Sequence, residues 1–458
     1  MRHLGGIWNR TQRAGQASRE NSKSQARQII ARTLLFLGLL LLAACGTQGN
    51  SGGSAAAPAT AATPDTSTPV AASWRNTRIR PMLSLSAVAQ QYIAGMTLDQ
   101  ELGQLFVAAF TDTDYNANNA GMVEQEGAGA ILLYSSNMTS EDQTRQLIAT
   151  AQAHATIPLL VLTDEEGGYV DRLQQFYGFR PSATQIGATN SPSYARQQGY
   201  KTGQDMAALG FNADFAPDVD VQLVAGPDQV TRTFGTTPQA VTTMAGAYMT
   251  GMQDAGVVVC LKHFPGLGAA TTDAHLGLPV INRSRAQLES VELAPYRNLI
   301  ATGQVQMIMP TDVLMPALDP NLPAELSPAI INGVLRQELG YNGVVVTDAL
   351  YMDGIIQKWS LGQAGVMAIE AGDDMLVGAF TTGQISMMMD ALKAAISNHQ
   401  LSKERIDESV RRILILKMRM GILKVPVPVH PVPPLGSMSP QMGSWPPALL
   451  QDRQNQAG

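Results

Sequence analysis

The stretch Lys262 to Pro279, KHFPGLGAATTDAHLGLP, gathers a lysine, an aspartate and two histidines within a loop of small residues. Asp273 and His275 are two positions apart, so an extended or looped backbone holds both side chains on one side of the chain. A carboxylate beside an imidazole fixes the tautomer, raises the imidazole pKa and suits the pair to proton transfer near neutral pH. Taken alone, a D-x-H pair is more often an idle surface feature, and its neighbours must decide. Val344 to Leu350, VVVTDAL, ends a run of three valines on Asp348. A carboxylate held there can attack a carbon electrophile or stabilise a cation; its bland alternative is a helix cap. In TDEEGGYVDR, Thr163 to Arg172, the side chains of Asp164 and Arg172 suit charge-assisted hydrogen bonds to hydroxyl groups. The competing reading is an acidic helix N-terminus. Asp218, Asp220 and the Arg232 of RTFG add further charge, as do Lys262 and His263. A metal-dependent hydrolase using His263, His275 and an aspartate is disfavoured because the chain has no close H-x-H or H-E-x-x-H pair. No metal and no cofactor is expected.

Such residues need strand ends to hold them. Eight short apolar runs recur along the chain: Leu105 to Phe110, Ala130 to Tyr134, Pro158 to Thr163, Ala213 to Val221, Val257 to Leu261, Val305 to Met309, Gly343 to Thr347 and Met375 to Ala379. Helical patterns lie between them, including Ser140 to His154, Ser193 to Leu209, Pro238 to Ala255, Arg285 to Ala301, Ser327 to Leu339 and Leu361 to Ala371. Near-continuous hydrophobic strands alternating with helices predict a parallel sheet covered on its outer face. Eight such units predict an α/β fold, a (β/α)8 TIM-type barrel forming a single catalytic domain; no glycine-rich phosphate loop follows a strand, which argues against a doubly wound sheet. In a barrel, chemistry sits where C-terminal strand ends meet their loops, and Asp164, Lys262 and Asp348 all follow apolar runs. Asp373 and Asp374 precede the last run and belong to the opposite rim. Lys403 to Met420 carries Ile406, Val410, Ile413 and Leu414 at helical spacing and is expected to close the barrel.

The termini read differently. Thr33 to Ala44, TLLFLGLLLLAA, is too short to span a membrane and suits a signal-peptide core, with Arg27 and Arg32 before it. Its Leu-Ala-Ala-Cys ending looks like a bacterial lipobox, so residues 1–44 are expected to be removed and Cys45 to carry lipid; a plain secretory signal is the alternative. Residues 45–79, rich in Gly, Ser, Ala, Thr and Pro, cannot bury enough surface to fold and read as a flexible tether. The catalytic domain is expected over 80–424. Residues 425–458 begin VPVPVHPVPP, where proline ends regular structure, and read as a tail. The remaining cysteine, Cys260, has no partner if Cys45 is lipidated and is expected in the core. A net charge of -6 provides no basic footprint for nucleic acid.

Taken in order, DEEGGYVDR (164–172), RTFG (232–235), KHFPGLG (262–268), DAH (273–275) and VVVTDALYM (344–352) resemble glycoside hydrolase family 3, and within it the β-N-acetylhexosaminidase branch. The resemblance runs from about Leu83 to Lys424 and implies a retaining, exo-acting enzyme that removes terminal β-linked N-acetylglucosamine from cell-wall- or chitin-derived oligosaccharides. It implies Asp348 as the nucleophile, His275 held by Asp273 as the general acid/base, and Asp164, Arg172, Arg232, Lys262 and His263 as sugar-binding groups, with no metal. With the lipobox, the chain is expected to be exported and anchored by lipid at Cys45 to the outer face of a bacterial membrane; the oligomeric state stays open, with a monomer favoured. Where the family usually has KHFPGHGD this chain has Leu267 and Ala269; D-S-H becomes Asp273-Ala274-His275, and D-Q-E-G-G-R-V-Q-R becomes DEEGGYVDR, with Tyr169 and Asp171. These departures keep three alternatives open: a β-glucosidase, a glycoside phosphorylase, or a non-catalytic cell-wall-binding lipoprotein.

Overall fold

The computed structural model describes residues 84–425 apart from 227–229. The predicted leader, tether and proline-rich tail, with Cys45, lie outside the described residues.

Each of the eight predicted runs supplies one strand: β1 (Phe106–Ala109), β2 (Ala130–Leu132), β3 (Leu160–Leu162), β4 (Ala213–Asp214), β5 (Val258–Phe264), β6 (Met307–Pro310), β7 (Val344–Ala349) and β8 (Met375–Ala379). The strands pair in the order β3-β2-β1-β8-β7-β6-β5-β4, every pair parallel. The Asn212 N–H reaches the Val161 carbonyl at 3.2 Å and the Phe215 N–H reaches the Thr163 carbonyl at 2.9 Å, which joins β4 back to β3. The sheet is therefore a closed (β/α)8 barrel with no open edge.

Alternation of side chains divides the core in two. Val107, Ala109, Leu160, Leu162, Val258, Cys260, Met307, Val344 and Val346 fill the lumen. Their neighbours Phe106, Ala108, Val161, Val259, Leu261, Ile308 and Val345 face the helices. Cys260 is thus a buried lumen hydrophobe, as expected. The helices start on side-chain caps: Ser140 opens Glu141–His154 with two acids in the first turn, Ser360 and Gln363 form a reciprocal capping box on Leu361–Ala371, and Thr381 and Gln384 do the same for Thr382–Ser397.

The predicted helix Arg285 to Ala301 is two helices, Arg285–Ser290 and Leu293–Ile300. Pro295 explains the break, because its ring opposes the carbonyl four residues back, on Val291, where the backbone leaves helical angles. The predicted Ser327 to Leu339 helix is wound with π-type bonding over Ala329–Glu338. The last helix, Lys403–Arg419, inserts Ile413 and Leu416 into the lumen cluster and closes the N-terminal end of the barrel. There Asp374 is fully buried and accepts from Arg412 (2.9 Å), Arg336 (2.7 Å), Ser409 (2.7 Å) and the Val345 N–H (3.0 Å). No helix among the described residues is long and apolar enough to cross a membrane.

Candidate active site

The eight residues selected from the sequence, Asp164, Arg172, Arg232, Lys262, His263, Asp273, His275 and Asp348, all line one cavity of about 360 Å³. Its floor is the upper lumen, where Leu132, Phe215, Met309 and Val377 end the packed core. The C-terminal ends of β5 and β7 and the loop after β3 supply the polar wall.

Charge alternates along that wall. Lys262 Nζ lies 2.8 Å from Asp164 Oδ1 and 2.7 Å from Glu166 Oε1. Arg232 grips the same Glu166 through Nε (2.8 Å) and Nη2 (2.9 Å), a bidentate pairing. Burial alone would push the Glu166 carboxyl up, but Arg232 and Lys262 outweigh it and hold it well below the usual range. Burial opposes the charge on Lys262 too, and Asp164 with Glu166 reverses that, leaving its ammonium more firmly protonated than in water. Arg232 Nη2 also sits 3.2 Å from His263 Nε2, while His263 Nδ1 is 2.8 Å from Asp220 Oδ2. Asp220 Oδ1 accepts the Leu267 N–H at 2.6 Å, so one carboxylate fixes both the imidazole and the loop beyond it. Regular alternation would send Lys262 and His263 to opposite faces. The β5–β6 register shifts between Lys262 and Phe264, and both side chains reach the cavity.

Across the cavity, Asp348 is half-buried at the end of β7. Its Oδ2 accepts from Thr311 Oγ1 at 2.7 Å and its Oδ1 from the Ala349 N–H at 2.8 Å, which fixes the carboxylate plane. His275 stands on a 3-10 turn, Ala274–Leu276, with its side chain 63% exposed. Asp273 Oδ1 lies 2.9 Å from His275 Nδ1 and also accepts the His275 N–H at 2.9 Å. The Asp273 carboxylate therefore orients the ring from below and leaves Nε2 for proton transfer.

Glu166 escaped the sequence reading as an individual residue, although its place two residues after Asp164 on a strand was a usable signal. That strand is half of a short hairpin, Glu165–Gly167 with Val170–Asp171, which the sequence reading did not foresee. Its turn needs Gly168, at φ 62, where an added Cβ would fall 2.4 Å from the Ser182 Cβ. The hairpin presents Tyr169, 87% exposed, at the cavity. Tyr134 and Thr311, also in the lining, carried no motif, and Tyr351 lay within VVVTDALYM without being singled out. Arg172 packs its guanidinium 6.0 Å from the Tyr134 ring centre. The departures in the loop after β5 are taken up by packing: Leu267 is buried, Ala269 packs partly buried against the core, and Gly268 passes so close to β4's extension that a Cβ would sit 1.9 Å from the Val221 carbonyl. Asp218, Asp220 and His263 place one possible ligand atom each within 4.8 Å of one another, the one such trio among the described residues. Asp220 already answers His263 and Leu267 there, and burial beside Asp220 pushes Asp218 toward its neutral form.

The family model described as "Glycosyl hydrolase family 3 N terminal domain" matches residues 97–416. The chain is 34% identical over 328 residues to "Beta-hexosaminidase LpqI" of Mycobacterium tuberculosis, covering 69% of this chain and 82% of that protein. It is similar to the solved structure of a glycoside hydrolase family 3 β-N-acetylglucosaminidase from Paenibacillus sp., with a TM-score of 0.70, 35% identity and coverage of 76% of this chain and 66% of the other. The structure of M. tuberculosis LpqI matches with a TM-score of 0.67 and 32% identity, over 73% of this chain and 97% of that one.

Proposed function

The chain belongs to glycosyl hydrolase family 3, and from that premise we propose that it is a retaining, exo-acting glycosidase releasing terminal β-linked N-acetylglucosamine from cell-wall- or chitin-derived oligosaccharides. The observation that carries the reading is the meeting of a fixed carboxylate, Asp348, and a carboxylate-oriented imidazole, His275, in one cavity whose other wall is an array of buried ion pairs. Lys262, Arg232 and Arg172 donate to sugar hydroxyl oxygens, and Asp164 accepts from sugar hydroxyls; these charge-assisted bonds hold the ring. Asp348 attacks the anomeric carbon while His275 Nε2 gives its proton to the departing glycosidic oxygen, so the C–O bond to the aglycone breaks as the bond to Asp348 forms. Asp273 stabilises the imidazolium before that transfer. In the second half, His275 takes a proton from water, the water oxygen bonds to the anomeric carbon and the carboxylate of Asp348 leaves.

Comparing release from aryl β-N-acetylglucosaminide and aryl β-glucoside, with and without phosphate, tests the substrate and the acceptor together. Turnover of the amino sugar independent of phosphate is expected; a glucoside preference or a sugar phosphate product would move the activity elsewhere in the family. Asp348→Ala is expected to abolish turnover and His275→Ala to slow it by about 10²–10⁴-fold, the usual contribution of a positioned acid/base. Wild-type rates in both variants would overturn the mechanism.

The leader reading supports a lipid anchor at Cys45 and an exported enzyme at the outer face of a bacterial membrane. Radiolabelled fatty acid should enter the wild-type chain and not Cys45→Ala; equal labelling would remove the anchor.

A further inference from the structure

Beneath Asp348 lie two acids that the mechanism does not use. Asp312 follows β6 and Glu325 sits on the 3-10 turn Ala324–Leu326, both fully buried. Asp312 Oδ2 is buried without a hydrogen bond, and the buried carboxyl of Glu325 has only the Asp348 backbone N–H turned toward it. Two carboxylates with so few donors in such a place are strongly disfavoured, a penalty that neutral carboxylic acids largely avoid. Between Asp312 and Asp348 stands Thr311, whose single hydroxyl proton has two possible acceptors: Asp348 Oδ2 at 2.7 Å and Asp312 Oδ1 at 3.4 Å.

We propose that Asp312 is a positioning residue held as a neutral acid, and that its neutrality reserves the Thr311 proton for Asp348 and keeps a second charge away from the Thr311 side of that carboxylate. With Asp312 ionised, the Thr311 hydroxyl has two charged acceptors, the nucleophile loses its fixed plane, and a second negative charge sits against it. With Asp312 neutral, only Asp348 competes. The groups facing Asp312 are all acidic: Asp348 from β7, Glu325 from the 3-10 turn and Asp273 from the loop after β5. No cation is among those facing groups. The short helix Asp353–Ile356 closes the remaining side with backbone, since a Cβ on Gly354 would fall 2.2 Å from Asp312 Oδ2. Burial first, then the charge of Asp348, push the Asp312 carboxyl up to about 9, and burial pushes Glu325 up as well, with Asp312 and Asp348 adding to it.

The inference rests on Asp348 being the nucleophile, and its test separates the two ideas. A dinitrophenyl N-acetylglucosaminide needs no proton on its leaving group, so His275 drops out of the alkaline limb of kcat/KM. The wild-type limb should then fall about five- to sixfold from pH 9 to pH 10, as for a single group titrating near 9 that must stay protonated. Asp312→Asn cannot ionise, so its profile over that interval should stay flat. Thr311→Val should lower kcat with little change in KM and make the Asp312→Asn change silent in the double variant, because the effect passes through Thr311. An alkaline limb unchanged in Asp312→Asn, or additive effects of the two substitutions, would overturn the proposal. An infrared carboxylic-acid component at neutral pH that titrates away on the alkaline side, isolated as the difference between wild type and Asp312→Asn, reads the same state without turnover. Its absence from the wild-type protein would overturn the proposal even if the glycosidase reading stands, and its presence in an inactive protein would sustain the neutral acid while removing that reading.

Discussion

Asp220 is the most economical side chain at the polar wall of the cavity, because one carboxylate answers both the His263 ring and the Leu267 amide. An asparagine in its place has one accepting oxygen and a donating nitrogen, so one of the two donors is left facing another donor. Asp220→Asn is therefore expected to cost about 1–3 kcal/mol of stability by chemical denaturation and to raise KM more than it lowers kcat. A loss confined to kcat would place His263 in the chemistry rather than in binding. Tyr169 makes the opposite case. It is exposed at the cavity mouth on a hairpin pinned by close contacts, so its removal leaves packing untouched. A tyrosine face there suits stacking on the sugar that follows the scissile bond, worth about 0.5–1.5 kcal/mol on the scale of ring contacts. Tyr169→Ala should accordingly lower kcat/KM several-fold for a chito-oligosaccharide and leave an aryl glycoside unaffected, with no change in melting temperature. Equal losses on both substrates would remove the stacking role.

At the scale of elements, the loop after β5 carries the strictest steric demand. Gly268 runs against the Val221 carbonyl, and Gly268→Ala must displace either that loop or the segment after β4 that carries Asp218 and Asp220. Backbone on both sides makes relief expensive, so activity should fall at least tenfold together with a lower melting temperature; a fully active, equally stable variant would show that the loop repacks freely. The same loop shows what sequence can and cannot reveal. All eight strands were legible because each is a short apolar run whose two faces are both buried, so no polar alternation blurs it. Asp348, Lys262 and Asp273-x-His275 were legible because they end such runs or sit in a motif. Thr311, Asp312 and Glu325 were not, since a threonine and two acids near a strand end look the same whether buried or wet. The break at Val291 was missed because apolar spacing continues through Arg285 to Ala301 while Pro295 removes a backbone bond that spacing does not register. The hairpin after β3 was missed because strands of three and two residues are too short to show a period.

Over the whole barrel, the closing helix and the strand end it covers bury charge under opposite terms. At the closed end, burial pushes the Asp374 carboxyl up, but Arg412, Arg336 and Arg405 prevail and bring it to about 2. A carboxyl depressed in the folded state contributes stability above its unfolded pKa of about 3.8 and loses it as pH falls toward 2, so this network sets an acid limit. Lys417, nearby in chain order on the last helix, has no such company. It is fully buried, and its Nζ donates to Gln104 Oε1 at 2.9 Å. Burial pulls its pKa from 10.5 to about 7. Between those values the unfolded chain binds the proton and the folded chain does not, so this group makes stability rise with pH there. Above about 10.5 both states are neutral and the cost vanishes; below about 7 both are charged and the cost is complete, roughly 4–5 kcal/mol at 1.4 kcal/mol per unit of pKa. Lys417→Met keeps the apolar volume and discards the charge. Its gain in unfolding free energy over the wild type should be largest near pH 6 and shrink steadily toward pH 10, by several kcal/mol across the interval. Denaturant unfolding of both proteins along that series measures the difference directly, and a gain independent of pH would show that Lys417 keeps its proton inside the barrel.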